Sequence, residues 1–202
     1  SQSLHALVAH IPGLKVALPS SAYEAKGLMK TAIRDNNPVV IFEDKLMYQD
    51  KAPVPEEEYL IPFGEANVKR EGKDITLIGT SSMVQVAEAA AEILAKEGIE
   101  AEVIDPRTIV PLDEETLLRS VKKTSRAIVI DEGHQSYGIT GEIASRLNEK
   151  AFYHLDAPVV RMGAMDVPVP FSPALEDLTV PTVEKVTAMA RRLVAGEMIH
   201  AA

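Results

Sequence analysis

Two periodicities alternate along the chain. Short β-branched runs predict strands, and segments with apolar residues three and four apart predict helices between them. Residues 13–19 form the first strand-like run, closed by Pro19. Ser21, with Glu24 three residues later, makes a capping box. Leu28, Ala32 and Ile33 then continue at helical spacing to about Arg34. Asp35-Asn36-Asn37-Pro38 ends that helix, because proline cannot continue it. Val39-Val40-Ile41-Phe42 predicts a strand buried on both faces. Residues 45–65 break the alternation. Pro53, Pro55 and Pro62 flank Glu56-Glu57-Glu58, a solvated acidic turn in a surface linker between two units.

A longer series follows. Strands are expected at 75–80, 101–105, 127–131 and 159–162. The first helix between them is capped by Ser81 or Ser82 and runs to about Lys96, with Gly98 at its stop. The next opens on Asp113-Glu114-Glu115 and closes on Lys122-Lys123, charges that complement the helix dipole. Two more are expected at about 139–150 and 182–195. Strands separated by single helices imply an α/β fold with a mostly parallel sheet, helices on both faces and right-handed crossovers.

Composition narrows the function. The formal charge of −9 over 202 residues argues against nucleic acid and anionic lipid as partners. The absence of cysteine excludes disulfide scaffolds, thiolate zinc sites and a cysteine nucleophile, and it suits a cytoplasmic location. No apolar run is long enough to span a membrane, and no signal peptide is visible. The chain begins at Ser1 without methionine, so the expectation is a processed terminus or part of a longer protein.

Few residues offer chemistry. The histidines at 5, 10, 134, 154 and 200 have no metal-ligand spacing, so each reads as structural or surface. His134 is the most interesting. It lies in a glycine-spaced turn at the carboxyl end of a strand, where α/β sites collect, although Gly133, Gly138 and Gly141 do not make a dinucleotide fingerprint. Ser81, Ser82 and Ser136 lack a nucleophile context and read as caps or turns. Asp105 and Arg107 read as a structural pair after a strand. The unpaired carbonyls ending the first long helix, beside Asp35-Asn36-Asn37, could hold a hard cation.

Longer motifs carry a resemblance. Residues 10–16, 25–28 and 32–40, then Ile61-Pro62-Phe63-Gly64, residues 102–108, Pro111-Leu112-Asp113, Leu155-Asp156-Ala157-Pro158 and residues 167–171 resemble, in collinear order, the β subunit of thiamine-diphosphate-dependent 2-oxo acid dehydrogenases. Residues 1–7 and Phe42-Glu43-Asp44-Lys45 resemble the acetoin dehydrogenase branch most, with pyruvate dehydrogenase second. The resemblance implies a partial pyrimidine-binding domain at 1–50, a linker at 51–73 and a transketolase-type C-terminal domain at 74–202. It implies an E1 component that cleaves acetoin or a 2-oxo acid oxidatively and passes the acyl group to lipoamide.

In the family an active-site histidine directly precedes the segment matching Ser1-Gln2-Ser3, and the cofactor-activating glutamate lies further upstream. Thiamine diphosphate and magnesium are therefore expected in the full α/β enzyme and not in this chain, which should be inactive alone. Implied partners are the E1 α subunit, a second β subunit and the E2 peripheral subunit-binding domain. A pure assembly module is the alternative reading. Asp156 matches the aspartate facing E2, and His134 is placed at an interface. Ala32, Ile33, Asp35 and Asn37 match a potassium site.

Overall fold

A computed structural model describes residues 3–197. The second unit is built on a five-stranded sheet. Its strands are β3 (Asn67–Arg70), β4 (Ile75–Gly79), β5 (Ala101–Asp105), β7 (Ala127–His134) and β8 (Val160–Ala164), in the order β3-β5-β4-β7-β8. The last four are parallel, and β3 adds antiparallel to the edge of β5.

The unbroken apolar runs are explained by cover on both faces. On one face, Ile75, Leu77, Val103, Ile128 and Ile130 pack against α3 (Met83–Lys96) and α7 (Val183–Val194). On the other, Ile78, Ile104 and Val129 pack against α4 (Glu114–Thr124) and α5 (Ile139–Ala151). Asp113 caps α4 by accepting from the Thr116 N–H, and Gly98 stops α3 at φ +84°.

The first unit is smaller. A short helix α1 (His5–Ala9) precedes β1 (Lys15–Ala17), α2 (Ala22–Arg34) and β2 (Val39–Ile41). The Ser21 hydroxyl accepts from the Glu24 N–H at the start of α2, as the capping box requires. β1 and β2 pair in parallel, and β6 (Thr108–Val110) leaves the second unit to pair antiparallel with β1, giving the order β2-β1-β6.

Several expectations change. Val39, Val40 and Ile41 are half-buried rather than buried on both faces, because β2 is an edge strand of a small sheet. Residues 67–70, expected as linker, form β3. Ser82 stands at the start of α3 but makes no cap; its hydroxyl donates to Glu132 Oε2 instead. β6 and the helix α6 (Pro173–Thr179) were not legible in the pattern.

The two cores differ in depth. Leu77 lies in the large α3–α7 cluster, whereas Leu28 shares its cluster with only Ala17 and Ile61 as buried neighbours. Large-to-small truncation costs more where the surroundings cannot collapse. Leu77→Ala should lose about 4–5 kcal/mol in urea unfolding and Leu28→Ala about 2–3 kcal/mol. Equal losses would contradict this difference.

Candidate functional site

β4 leads into α3 on one face of the sheet, and its neighbour β7 leads into α5 on the other. Such a switch point opens a crevice at the carboxyl ends of the strands, where open α/β sheets bind ligands. Here the chain fills it with its own residues. His5 of α1 is buried and its Nε2 stands 2.9 Å from Asp131 Oδ2. Thr80 Oγ1 donates to Asp131 Oδ1 at 2.5 Å, and the Gly133 N–H donates to Oδ2 at 3.1 Å. Phe42 meets the His5 ring edge-on. Gly133 is required by this closeness, since a Cβ there would lie 2.6 Å from Asp131 Oδ2.

Glu132, the next residue, accepts from Ser3 and Ser82. Burial pushes its carboxyl above the usual range, and the Asp44 and Asp131 charges add to that. Two carboxylates and a seated imidazole do not fit a diphosphate, which needs free N–H donors and positive charge. The residues of this crevice hold α1 in place.

Of the residues singled out in the sequence, Ser82 and Gly133 border this crevice, whereas His134, Asp156 and the end of α2 lie apart from one another. His134 ends β7 at the carboxyl edge, where its Nδ1 lies 2.8 Å from Met165 O. Asp156 lies at the opposite edge, ahead of β8, exposed and paired with Arg126 at 2.9 Å. Its N–H donates to Ser125 O, so it also belongs to a turn. Arg107 does not pair with the Asp105 side chain. Its guanidinium faces Glu24 at 3.4 Å, and Asp105 receives only its backbone N–H.

At the end of α2, Lys15 and the two N–H groups of Asn37 occupy the Asp35 carboxylate. The Lys15 ammonium, helped by Asn37, holds that carboxyl down to about 2. The Ala32 carbonyl accepts from the Asp35 N–H and keeps a second lone pair. The Asp35 side chain is thus already engaged within the chain. Among the described residues, no group of three or more His, Asp or Glu stands in a metal-holding arrangement.

The buried His5–Asp131 contact was missed in the sequence. Its partners are 126 positions apart, and the glycine at 133 was its only local trace. His10, at the end of α1, and Arg146, on α5, line a cleft of about 330 Å³ together with Ala6, Ile109 and Ile143. His154 is exposed, and His200 lies outside the described residues. No helix among the described residues is long and apolar enough to cross a membrane.

Comparison with known proteins places the fold. The chain is 48% identical over 200 residues to the acetoin:2,6-dichlorophenolindophenol oxidoreductase subunit beta of Bacillus subtilis, covering 99% of this chain and 58% of that relative. It is 46% identical over 196 residues to the mitochondrial pyruvate dehydrogenase E1 component subunit beta-1 of Oryza sativa, covering 95% of this chain and 52% of that one. It thus spans little more than half the length of these relatives. Among solved structures, a split gene transketolase described as an inactive beta4 tetramer superposes with a TM-score of 0.74 at 26% identity, over 96% of this chain and 61% of that one. Residues 1–51 match the transketolase pyrimidine binding domain. Residues 64–186, more than half of the chain, match the transketolase C-terminal domain, and the chain belongs to that family.

Proposed function

We propose that the chain is part of the β subunit of an E1 component that oxidatively cleaves acetoin and passes the acyl group to lipoamide. It contributes assembly and E2 docking rather than the reacting groups. The observation that carries this is the filled switch point. The crevice where a sheet of this kind would hold a ligand is taken by His5 on Asp131. Near-half identity to an acetoin relative along 99% of the chain supports the branch, with pyruvate as the second substrate reading.

In this reading thiamine diphosphate and magnesium belong to the complete α/β enzyme, and the chain works with an α subunit and a second β subunit. Exposed Tyr137, Tyr153 and Phe171 offer apolar area for such contacts. Mixed with the α subunit at micromolar concentration, the chain should co-elute with it in sizing with light scattering. Separate elution would contradict the assembly role, and thiamine-diphosphate-dependent turnover of acetoin by the chain alone would contradict the division of labour.

Asp156 serves as a docking charge for the basic E2 peripheral subunit-binding domain. Charges at the rim of an interface act mainly on association rate and its salt dependence. Asp156→Ala in the assembled E1 should slow E2 association several-fold at low salt and flatten the salt dependence. The exposed pair with Arg126 contributes little to folding, about 0–1 kcal/mol. Unchanged association at low salt would remove this role.

A potassium ion is held by the carbonyls around Ala32, Ile33, Asp35 and Asn37 in the same reading. A ligand bound only by the folded state at ten times its Kd adds about 1.4 kcal/mol, or about 3–6 °C in Tm for a chain of this size. Melting in potassium chloride against tetramethylammonium chloride at equal ionic strength measures this. Identical Tm values would rule the ion out.

A further inference from the structure

The junction between the two units contains a cluster that the assembly role does not use. Glu24, in the first turn of α2, and Asp105, at the end of β5, are both buried, with 1% and 0% exposure. Ser20 stands between them. Its Oγ lies 2.6 Å from Glu24 Oε2 and 2.6 Å from Asp105 Oδ2. A serine hydroxyl has one proton to donate. Two carboxylates at hydrogen-bond distance from that one oxygen require a second proton, which a carboxyl must supply.

The surroundings decide which carboxyl carries it. Glu24 Oε2 also accepts from the Ser21 hydroxyl at 2.7 Å, and its Oε1 faces Arg107 Nε and Asn67 Nδ2, each at 3.4 Å. Burial alone would raise Glu24, but the Ser20 and Ser21 hydroxyls, with the Lys69 and Arg107 charges, outweigh it and lower its pKa. Glu24 is the anion. Asp105 Oδ1 accepts the Arg107 N–H at 2.7 Å, as the carbonyl oxygen of a neutral acid would. That leaves Oδ2 as the protonated oxygen, donating to Ser20 Oγ.

Burial, then the neighbouring Glu24 charge, pushes Asp105 up to about 7, from an ordinary value of 3.8. The charged and titratable groups facing it are Glu24 from α2, Arg107 from its own loop and, through Glu24, Lys69 from β3. Asn67, its register partner on β3, is neutral.

We propose that Asp105, Ser20 and Glu24 form a proton-dependent latch between the two units. The hydrogen-bond chain Asp105 Oδ2–H to Ser20 Oγ–H to Glu24 Oε2 joins β5 to the start of α2 while Asp105 is neutral. Ionisation of Asp105 removes one of the two donors and places a second buried anion beside Glu24, so the units loosen as pH rises. The sign follows from proton linkage. The folded chain keeps a proton that the unfolded chain releases near its ordinary value of 3.8, so this contribution is full below that value and is lost as pH rises to about 7.

Infrared spectroscopy of the full chain tests the proton directly. The C=O stretch of a protonated carboxylic acid should be present at about pH 5.5, fade with a component of near-neutral midpoint, and lose that component in Asp105→Asn, leaving only what the raised Glu132 carboxyl contributes. Thermal unfolding should show a lower Tm at about pH 8.5 than at about pH 5.5, with at least half of that difference gone in Asp105→Asn. Glu24→Gln is independent of whether Asp105→Asn folds; removing the anion should move the midpoint of the band to lower pH. The latch is overturned if the wild-type chain lacks the band at the acid end. A band with its near-neutral component unchanged in Asp105→Asn, an unchanged pH dependence of Tm, or an unmoved midpoint in Glu24→Gln would overturn it equally.

Discussion

The loop that leaves β5 holds the molecule together. Asp105 ends a strand of the large sheet, and three residues later Thr108 begins β6 in the small one. Arg107 makes the turn in the left-handed region, at φ +59°, and its carbonyl accepts the Leu18 N–H. The backbone crosses between units with its hydrogen bonds satisfied. Without that crossing, β1 would lose its antiparallel partner and retain only β2. A two-stranded sheet of three-residue strands has little stability of its own.

Contacts from two sides reinforce the crossing. α1 reaches across to place His5 on Asp131, and Ser20 with Glu24 meets Asp105. All of these side chains are buried and polar. Buried polar groups cost free energy unless paired, so each pair fixes geometry more than it adds stability. That suits the assembly role proposed above. It also explains why the crevice between β4 and β7 is filled: His5 and Asp131 hold the first unit there instead.

Much of this was legible in the sequence, and the remainder has physical reasons for being hidden. The capping pair Ser21 and Glu24, the stop at Gly98 and the charged ends of α4 depend on neighbours within a few positions. The runs at β4, β5 and β7 showed their burial because a parallel strand covered on both faces is mostly apolar, with Thr76 and Glu102 as buried polar exceptions. β3 escaped notice because Asn67, Lys69 and Arg70 surround one valine; an edge strand needs little apolar surface. β6 follows a single turn set by Arg107, a residue type that does not advertise a positive φ. The pairs His5–Asp131 and Glu24–Asp105 join residues 126 and 81 positions apart, and periodicity carries no information at that range.

The crossing loop makes the two units one cooperative body. Native-state hydrogen exchange at increasing urea measures it at single amides. Val16, Ala17 and Leu18 should exchange through the same opening as Val103 and Ile104, with equal free energy and equal urea dependence. Rapid, urea-independent exchange at Val16, Ala17 and Leu18, while Val103 and Ile104 stay protected, would contradict it.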